Sequence, residues 1–150
     1  METKMNSSAS LDAPPQPRGI PWVVGGVALG AVAAVAVNSL IMVLGTAAGA
    51  STSFAPLQPA SYISLTVFGV VAGAVGWATV RRVVARPRVV LRALVPIVLA
   101  LSFIPDVSLL VSNVQPNTSG VAVATLMVMH VATAAIAVFT FARVMPLEEA

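Results

Sequence analysis

The chain has 150 residues, of which 58% are hydrophobic and only 9% are charged. Ordinary soluble domains carry roughly 25% charged residues, so a water-soluble fold of this length could not hide so much apolar surface. The formal net charge is +3, and the chain contains no cysteine, which excludes a disulfide framework, thiol catalysis and a thiolate metal site. The composition therefore indicates an integral membrane protein whose first partner is the lipid bilayer.

The two ends of the chain differ from the rest. The first 18 residues are polar and contain three prolines. Such a segment buries too little apolar area to order itself, so residues 1–18 are predicted to form a disordered cytoplasmic tail. Residues 144–150 are predicted to form a second cytoplasmic tail. A transmembrane domain is expected between them, over residues 19–143.

Four apolar segments make up this domain. Each is long enough to cross a hydrocarbon core of roughly 30 Å at about 1.5 Å per residue. A segment inside lipid must satisfy its own backbone groups, so each segment is predicted to be a helix. The predicted fold is all-α, an integral membrane four-helix bundle with up-down topology. The helices are expected at about residues 20–44, 60–80, 89–111 and 120–142.

The basic residues predict the orientation of the bundle. Five arginines crowd the hairpin between the second and third helices, whereas the two other loops, at about 45–59 and 112–119, carry no charge. The positive-inside rule then puts both termini in the cytoplasm. We interpret the arginines as topology signals, with anionic lipid head groups as the alternative ligand. No nucleic acid is expected as a partner, because the short hairpin has no aromatic side chain to stack on a base. The five residues are Arg81, Arg82, Arg86, Arg88 and Arg92.

Small residues recur every four positions on the first two helices. Gly26, Gly30 and Ala34 share one face of the first helix, and Gly69 and Gly73 share one face of the second. Such rows allow two helix backbones to approach closely in a membrane. We expect the first two helices to pack on each other along these rows. The alternative is contact with a second copy of the chain or with another membrane protein.

The third helix contains Pro96 and Pro105, and each removes a helical hydrogen bond. The helix either kinks at Pro105 and continues to about Val111, or it ends near Ile104. In the first case Asp106 lies in the hydrocarbon, where an unpaired carboxylate costs about 2.5–3.5 kcal/mol. We favour the second case, with Asp106 in water at a helix end, because the Pro-Asp pair suggests a turn.

The only histidine, His130, lies near the middle of the fourth helix. Titratable groups at this depth normally face the bundle interior, and burial disfavours the charged imidazole, so we expect the neutral form. We interpret His130 as a hydrogen-bonded contact between helices, with proton or ligand handling as the alternative. A neutral imidazole needs partners, and several polar residues lie at similar depths. The candidate polar cluster comprises His130, Ser102, Asp106, Asn38 and Thr133.

The third and fourth helices carry a family resemblance, in PRVVLRALVPIVLALSFIPD and LMVMHVATAAI. The matching features are a basic hairpin at residues 86–92, a Ser-x-x-Pro sequence at 102–105 and a histidine that follows LMVM at 126–130. The chain resembles an actinobacterial family of small four-helix membrane proteins, known only as domain of unknown function 6069. The resemblance covers most of residues 20–143. It implies the same topology in a bacterial inner membrane, and it implies no activity.

The sequence offers little for an enzyme. It has no paired-carboxylate motif, metal-ligand spacing or nucleophile–base spacing, so no catalysis, metal or cofactor is expected. We expect a non-enzymatic protein with a packing or partner-interaction role. The alternative is a small transporter or a proton-sensing module that uses His130, Ser102 and Asp106.

Overall fold

The computed structural model describes residues 19–112 and 114–147. Within these ranges the chain forms four long α-helices and one short 3-10 turn, without a β-strand. The predicted tail of residues 1–18 lies outside the described residues, and so do residues 148–150 of the predicted C-terminal tail. The helices are α1 at Ile20–Ala47, α2 at Pro59–Val83, α3 at Pro87–Ser112 and α4 at Gly120–Val144, and the 3-10 turn is Ala55–Leu57.

All four helices are long and apolar enough to cross a membrane. Their most apolar 18-residue windows have mean hydropathies between 1.8 and 2.4. The shortest helices have 25 residues, which corresponds to about 38 Å and exceeds a hydrocarbon core of roughly 30 Å. The prediction of an all-α four-helix membrane bundle is confirmed.

Three of the helices have a proline in their first turn. Pro21 lies in the first turn of α1, and Pro59 and Pro87 are the first residues of α2 and α3. Proline suits this place because its φ is already helical and its missing N–H has no helical partner there. α2 continues to Val83, beyond the predicted boundary at residue 80. Arginines tolerate this extension because their long side chains carry the charge out to the interface.

α3 continues through both of its internal prolines to Ser112. The favoured prediction that this helix ends near Ile104 is therefore wrong, and Asp106 lies inside the helix with only 6% of its surface exposed. An apolar environment offers no water to satisfy an unwound backbone, so a helix that loses one bond at Pro105 is preferred over an open turn. Ser108 Oγ also donates a hydrogen bond of 2.7 Å to the carbonyl of Pro105.

α4 is the central helix of the bundle. It packs against the other three helices, most extensively against α1. In its most apolar window 33% of residues are buried, compared with 6% in α3. α2 and α3 are consecutive in the chain, yet they touch only sparsely. α3 therefore leans on α4 and leaves a groove along α2.

Each end of the bundle has its own buried cluster. Near the arginine hairpin, the rings of Trp77 and Phe141 are 5.8 Å apart, and Trp77 Nε1 donates to the carbonyl of Met145 at 3.1 Å. At the other end, Phe54 is fully buried against Leu126. The segment between α1 and α2, predicted only as a loop, thus closes that end of the bundle.

Candidate functional site

A groove of about 920 Å³ runs between α2 and α3, with α4 as its floor. Along α2 it extends from Tyr62 to Trp77, which is about 22 Å at 1.5 Å per residue. Its walls are mainly apolar, and a few polar side chains line it, among them Asn38, Asp106 and His130. Binding sites for small molecules typically combine apolar walls with a few placed polar groups.

The small-residue row of α2 lines this groove. A Cβ added at Gly69 or Gly76 would meet nothing within 4 Å, and one added at Gly73 would come 3.2 Å from the Phe141 ring of α4. The three glycines are exposed. The prediction that Gly69 and Gly73 pack on the small-residue row of α1 is therefore wrong.

The small-residue row of α1 faces α4 instead. A Cβ added at Gly26 would overlap Val144, and one added at Gly30 would come 2.8 Å from Thr140 Oγ1. Ala34, the next residue of the row, has no exposed surface. Small residues allow close approach by any neighbouring helix, so their spacing alone does not select between α2 and α4.

Asp106 and His130 meet in the wall of the groove. Oδ2 of Asp106 on α3 is 3.0 Å from Nδ1 of His130 on α4. The Asp106 side chain is buried, whereas 40% of the His130 side chain is exposed to the groove. Asp106 lies about 10 Å from the midpoint of α3, inside a hydrocarbon half-thickness of roughly 15 Å. The expectation of a wet aspartate at a helix end is wrong because α3 continues past it.

The Nδ1 atom of His130 has two acceptors beside it. It lies 2.9 Å from the carbonyl of Leu126, one turn earlier on α4, and 3.0 Å from Asp106. A neutral imidazole carries only one N–H. Oδ2 of Asp106 lies at ion-pair distance from Nδ1, but it accepts no hydrogen bond from the described residues. A buried acceptor without a donor is unfavourable in apolar surroundings.

Asn38 connects three helices. Its Nδ2 donates to Oγ1 of Thr66 on α2 and to Oγ1 of Thr133 on α4, both at 2.9 Å. The side chain is 2% exposed, and its Oδ1 accepts no hydrogen bond from the described residues. Sequence reasoning missed Thr66. The available signal was depth. Thr66 lies about 10 Å from the start of α2, Asn38 lies about 14 Å from the end of α1, and these two helix ends are at the same end of the bundle.

The predicted polar cluster thus divides into one contact at His130 and another at Asn38. Ser102, the remaining predicted member, uses its Oγ to donate to the carbonyl of Leu99 on its own helix at 2.7 Å. It lines the groove one turn from Asp106. The structure therefore brings all five predicted residues to the groove but does not join them in a single hydrogen-bonded network.

The groove is suited to hydrogen bonding. In the part of the chain that the structure describes, no three His, Cys, Asp or Glu side chains are grouped to hold a metal ion. Two buried acceptors, Oδ2 of Asp106 and Oδ1 of Asn38, accept no hydrogen bond from the described residues, although Oδ2 lies 3.0 Å from Nδ1 of His130. A molecule that brings donors into the groove would complete both.

The predicted arginine cluster gathers at one end of the bundle. Arg88 donates from Nη2 to the carbonyl of Leu147 at 3.2 Å. Arg92 lies on the first turns of α3, about 21 Å along the helix from Asp106. Basic groups and the acidic group of α3 are therefore separated along the helix axis. Arg81, Arg82, Arg86 and Arg88 line a second cavity of about 970 Å³.

Comparison with known proteins identifies one family. The model of a family of unknown function (DUF6069) matches residues 18–146, a range that contains all four helices. No curated protein and no solved structure matches the chain significantly. The function therefore has to follow from the geometry of the groove.

Proposed function

Because the chain belongs to the family of unknown function DUF6069, we propose a function from the groove itself: non-enzymatic binding of another molecule within the membrane. The partner is a small amphiphilic molecule that enters the groove from the lipid phase, between α2 and α3. The protein is a multi-pass protein of the plasma membrane, in the bacterial case the inner membrane, with both termini in the cytoplasm. Its role is interaction with this partner in place of catalysis.

The observation that carries this proposal is the unfilled row on α2. Open space lies beside Gly69 and Gly76, where an added Cβ meets nothing within 4 Å. Membrane helices place small residues where a neighbour comes close. Here no helix of the described chain occupies that place, and the row therefore favours a molecule from outside the chain.

The size and lining of the groove favour a small molecule over a partner helix. Its volume of about 920 Å³ lies within the range of roughly 300–1,000 Å³ of small-molecule sites. A helix is about 10–12 Å wide with its side chains and could cover the groove. An apolar helix would, however, bring no hydrogen-bond donor to the buried acceptors of Asp106 and Asn38.

The orientation rests on the arginines. Four of the five line the cavity at the end of the bundle where the described chain begins and ends, near Ile20 and Leu147. Lys and Arg are enriched in cytoplasmic loops. This distribution supports cytoplasmic termini. Fluorescent reporters fused to either end, compared in a cytoplasm-specific and a periplasm-specific form, test it directly.

Fluorescence quenching tests whether the groove binds. Trp77 lines the groove, and Trp22 is the other tryptophan of the chain, so a Trp22→Phe background isolates the signal of Trp77. The protein in phosphatidylcholine nanodiscs is titrated with a long-chain alcohol that carries a bromine on its tail. We expect saturable quenching of Trp77. Gly69→Leu, about 12 Å away along α2, fills the groove and should abolish the saturable component.

Gly25→Leu is the matched control. A Cβ at Gly25 also meets nothing within 4 Å, but this residue lies on the exposed surface of α1 and not in the groove. We expect this variant to keep saturable quenching. Quenching that rises linearly with the alcohol content of the bilayer in all variants would contradict binding. The alcohol could also fail to quench Trp77 while the protein migrates as a complex. That result would assign the groove to a protein partner and contradict the proposal.

A small transporter or a proton-sensing module is the second candidate function. The 3.0 Å approach of Asp106 to His130 favours it, since titratable groups inside membrane spans commonly mark ion or proton pathways. Ser102 contributes a hydroxyl one turn away on the same wall of the groove. His130→Gln keeps hydrogen bonding and removes titration. Loss of pH-linked or solute-linked flux in proteoliposomes supports this candidate, and unchanged flux in the folded variant refutes it.

A further inference from the structure

We propose that the molecule bound in the groove is a long-chain primary amine, whose ammonium head binds Asp106 and whose apolar tail lies along α2 and α3. This inference rests on the proposed function, because it names the class of molecule that the groove binds. It follows from the unsatisfied acceptors, the distribution of charge and the direction of the groove.

The unsatisfied acceptors require a ligand with donors. Oδ2 of Asp106 and Oδ1 of Asn38 belong to side chains that are 6% and 2% exposed, and neither accepts a hydrogen bond from the described residues. Both side chains line the groove. Buried polar atoms are nearly always hydrogen-bonded in folded proteins. Two orphan acceptors on one groove therefore point to a donor that arrives with the ligand.

The α4 partners of the two acceptors lie about one turn apart. Asn38 binds Thr133 and Asp106 contacts His130, and these two α4 residues are about 4.5 Å apart along the helix axis. A primary ammonium carries three N–H groups, as the lysine side chain does, and so it can donate to more than one acceptor. A trimethylammonium head has the same charge and no N–H.

The charge distribution favours a cation over a neutral donor. Asp106 is the only acidic residue in the described ranges, and α1 has no charged residue. The arginines of α2 and α4 are at the opposite end of the bundle, and Arg92 of α3 is about 21 Å away along the helix. His130 is the one titratable neighbour, and its Nδ1 is shared with the carbonyl of Leu126. His130, 3.0 Å from Oδ2 of Asp106, supplies a counter-charge only when it is protonated, whereas an ammonium head carries its charge at neutral pH.

The direction of the groove accounts for the tail. From Asp106 the groove continues towards the arginine hairpin as far as Leu91, about 22 Å along α3. Leu94 and Val98 form the wall on α3, and Phe68 lies opposite on α2. These side chains are exposed. A linear alkyl tail that lies between them would cover their apolar surface.

A series of head groups on one tail tests the inference. Full-length protein with Trp22→Phe, in phosphatidylcholine nanodiscs at neutral pH, is first loaded with the bromine-tagged alcohol. The alcohol is then displaced with dodecylammonium, dodecyltrimethylammonium, dodecanol or dodecanoate.

We expect dodecylammonium to act at about tenfold lower concentration than dodecanol, because charged hydrogen bonds are the stronger ones. Dodecyltrimethylammonium should fall short of it by about fivefold, for lack of N–H donors. Dodecanoate should displace the alcohol least effectively, because its carboxylate is repelled by the carboxylate of Asp106.

Two variants separate binding to Asp106 from simple partition into the bilayer. Asp106→Asn keeps the shape of the side chain and removes its charge, and we expect the preference for dodecylammonium over dodecanol to fall to about twofold or less. Ser64→Ala is the control, because its hydroxyl is bonded to carbonyls of its own helix and it lies outside the groove lining. It should keep the full preference. Partition into the lipid is common to all variants and cancels in this ratio.

The outcomes distinguish this inference from the proposed function. Saturable quenching with equal displacement by dodecylammonium and dodecanol would overturn the ammonium head and leave the binding groove in place. Equal displacement by the primary and the trimethylated head would overturn the hydrogen bonds to Asp106. Absence of any saturable quenching would contradict the proposed function itself. Should Asp106→Asn fail to fold, as shown by its melting curve, the head-group series on the native groove decides alone.

Discussion

The interface of α1 with α4 and the groove between α2 and α3 use the same kind of residue in opposite ways. On α1, a Cβ added at Gly30 or Gly45 would collide with a threonine of α4. On α2, a Cβ added at Gly69 or Gly76 would find open space. Small residues thus form a closed contact in one region and an empty wall in the other. A glycine row in a membrane helix marks a surface that another group approaches closely. Only the fold shows whether that group is a helix of the same chain or a molecule from outside it.

The largest loss of stability is expected at the interface of α1 with α4. Gly30→Leu places a side chain where even a Cβ lies 2.8 Å from Thr140 Oγ1, so it forces α1 away from α4. Overpacking of this kind typically costs about 1–3 kcal/mol, and we expect the upper part of that range. Thermal melting in a mild detergent measures it. A melting temperature equal to that of the native protein would show that α1 and α4 are not tightly packed.

A smaller loss is expected where the two regions meet, at Asn38. Asn38→Leu keeps a similar volume and removes the hydrogen bonds to Thr66 and Thr133. Interhelical hydrogen bonds in membranes contribute about 0.6 kcal/mol each, so the variant should lose about 1 kcal/mol. A double-mutant cycle with Thr133→Val isolates one of the two bonds. Strictly additive losses in that cycle would show that Asn38 and Thr133 do not interact.

The smallest change in stability is expected in the groove between α2 and α3. Gly69→Leu and Gly76→Leu meet no atom within 4 Å of the new Cβ, so each should stay within about 0.5 kcal/mol of the native stability. The same melting experiment provides the measurement, with Gly25→Leu as reference. A loss as large as that of Gly30→Leu would mean that α2 and α3 close on each other in the membrane, and it would remove the contrast between the two regions.

The sequence was sufficient for the elements of the fold and insufficient for their pairing. Hydropathy and length predict four spanning helices, because lipid leaves a chain few alternatives. Pairing depends on contacts that small side chains permit without specifying, so Gly30 could not be assigned to Thr140 of α4 in advance. Gly45 escaped notice because it lies outside the four-residue row, although it meets Thr125 of α4.

The polar residues were recognised more readily than their environment. Residue type and depth identified His130 and Asn38, since polar groups inside apolar helices stand out. The burial of Asp106 depended on how α3 passes Pro105, and the local Pro-Asp pattern indicated a turn that tertiary packing overrides. Thr66 has no distinctive neighbours in the sequence, and only the approach of α2 to α1 reveals it as a partner of Asn38.

Accessibility of single spin labels tests the open groove most directly. The chain has no native cysteine, so Gly69→Cys carries one nitroxide in the groove and Gly25→Cys carries one on the outer surface of α1. The collision rate of each label with oxygen dissolved in the bilayer is measured by electron paramagnetic resonance. We predict that both labels are accessible and that their collision rates are similar. A label at residue 69 that is shielded while the label at residue 25 is accessible would contradict an open groove.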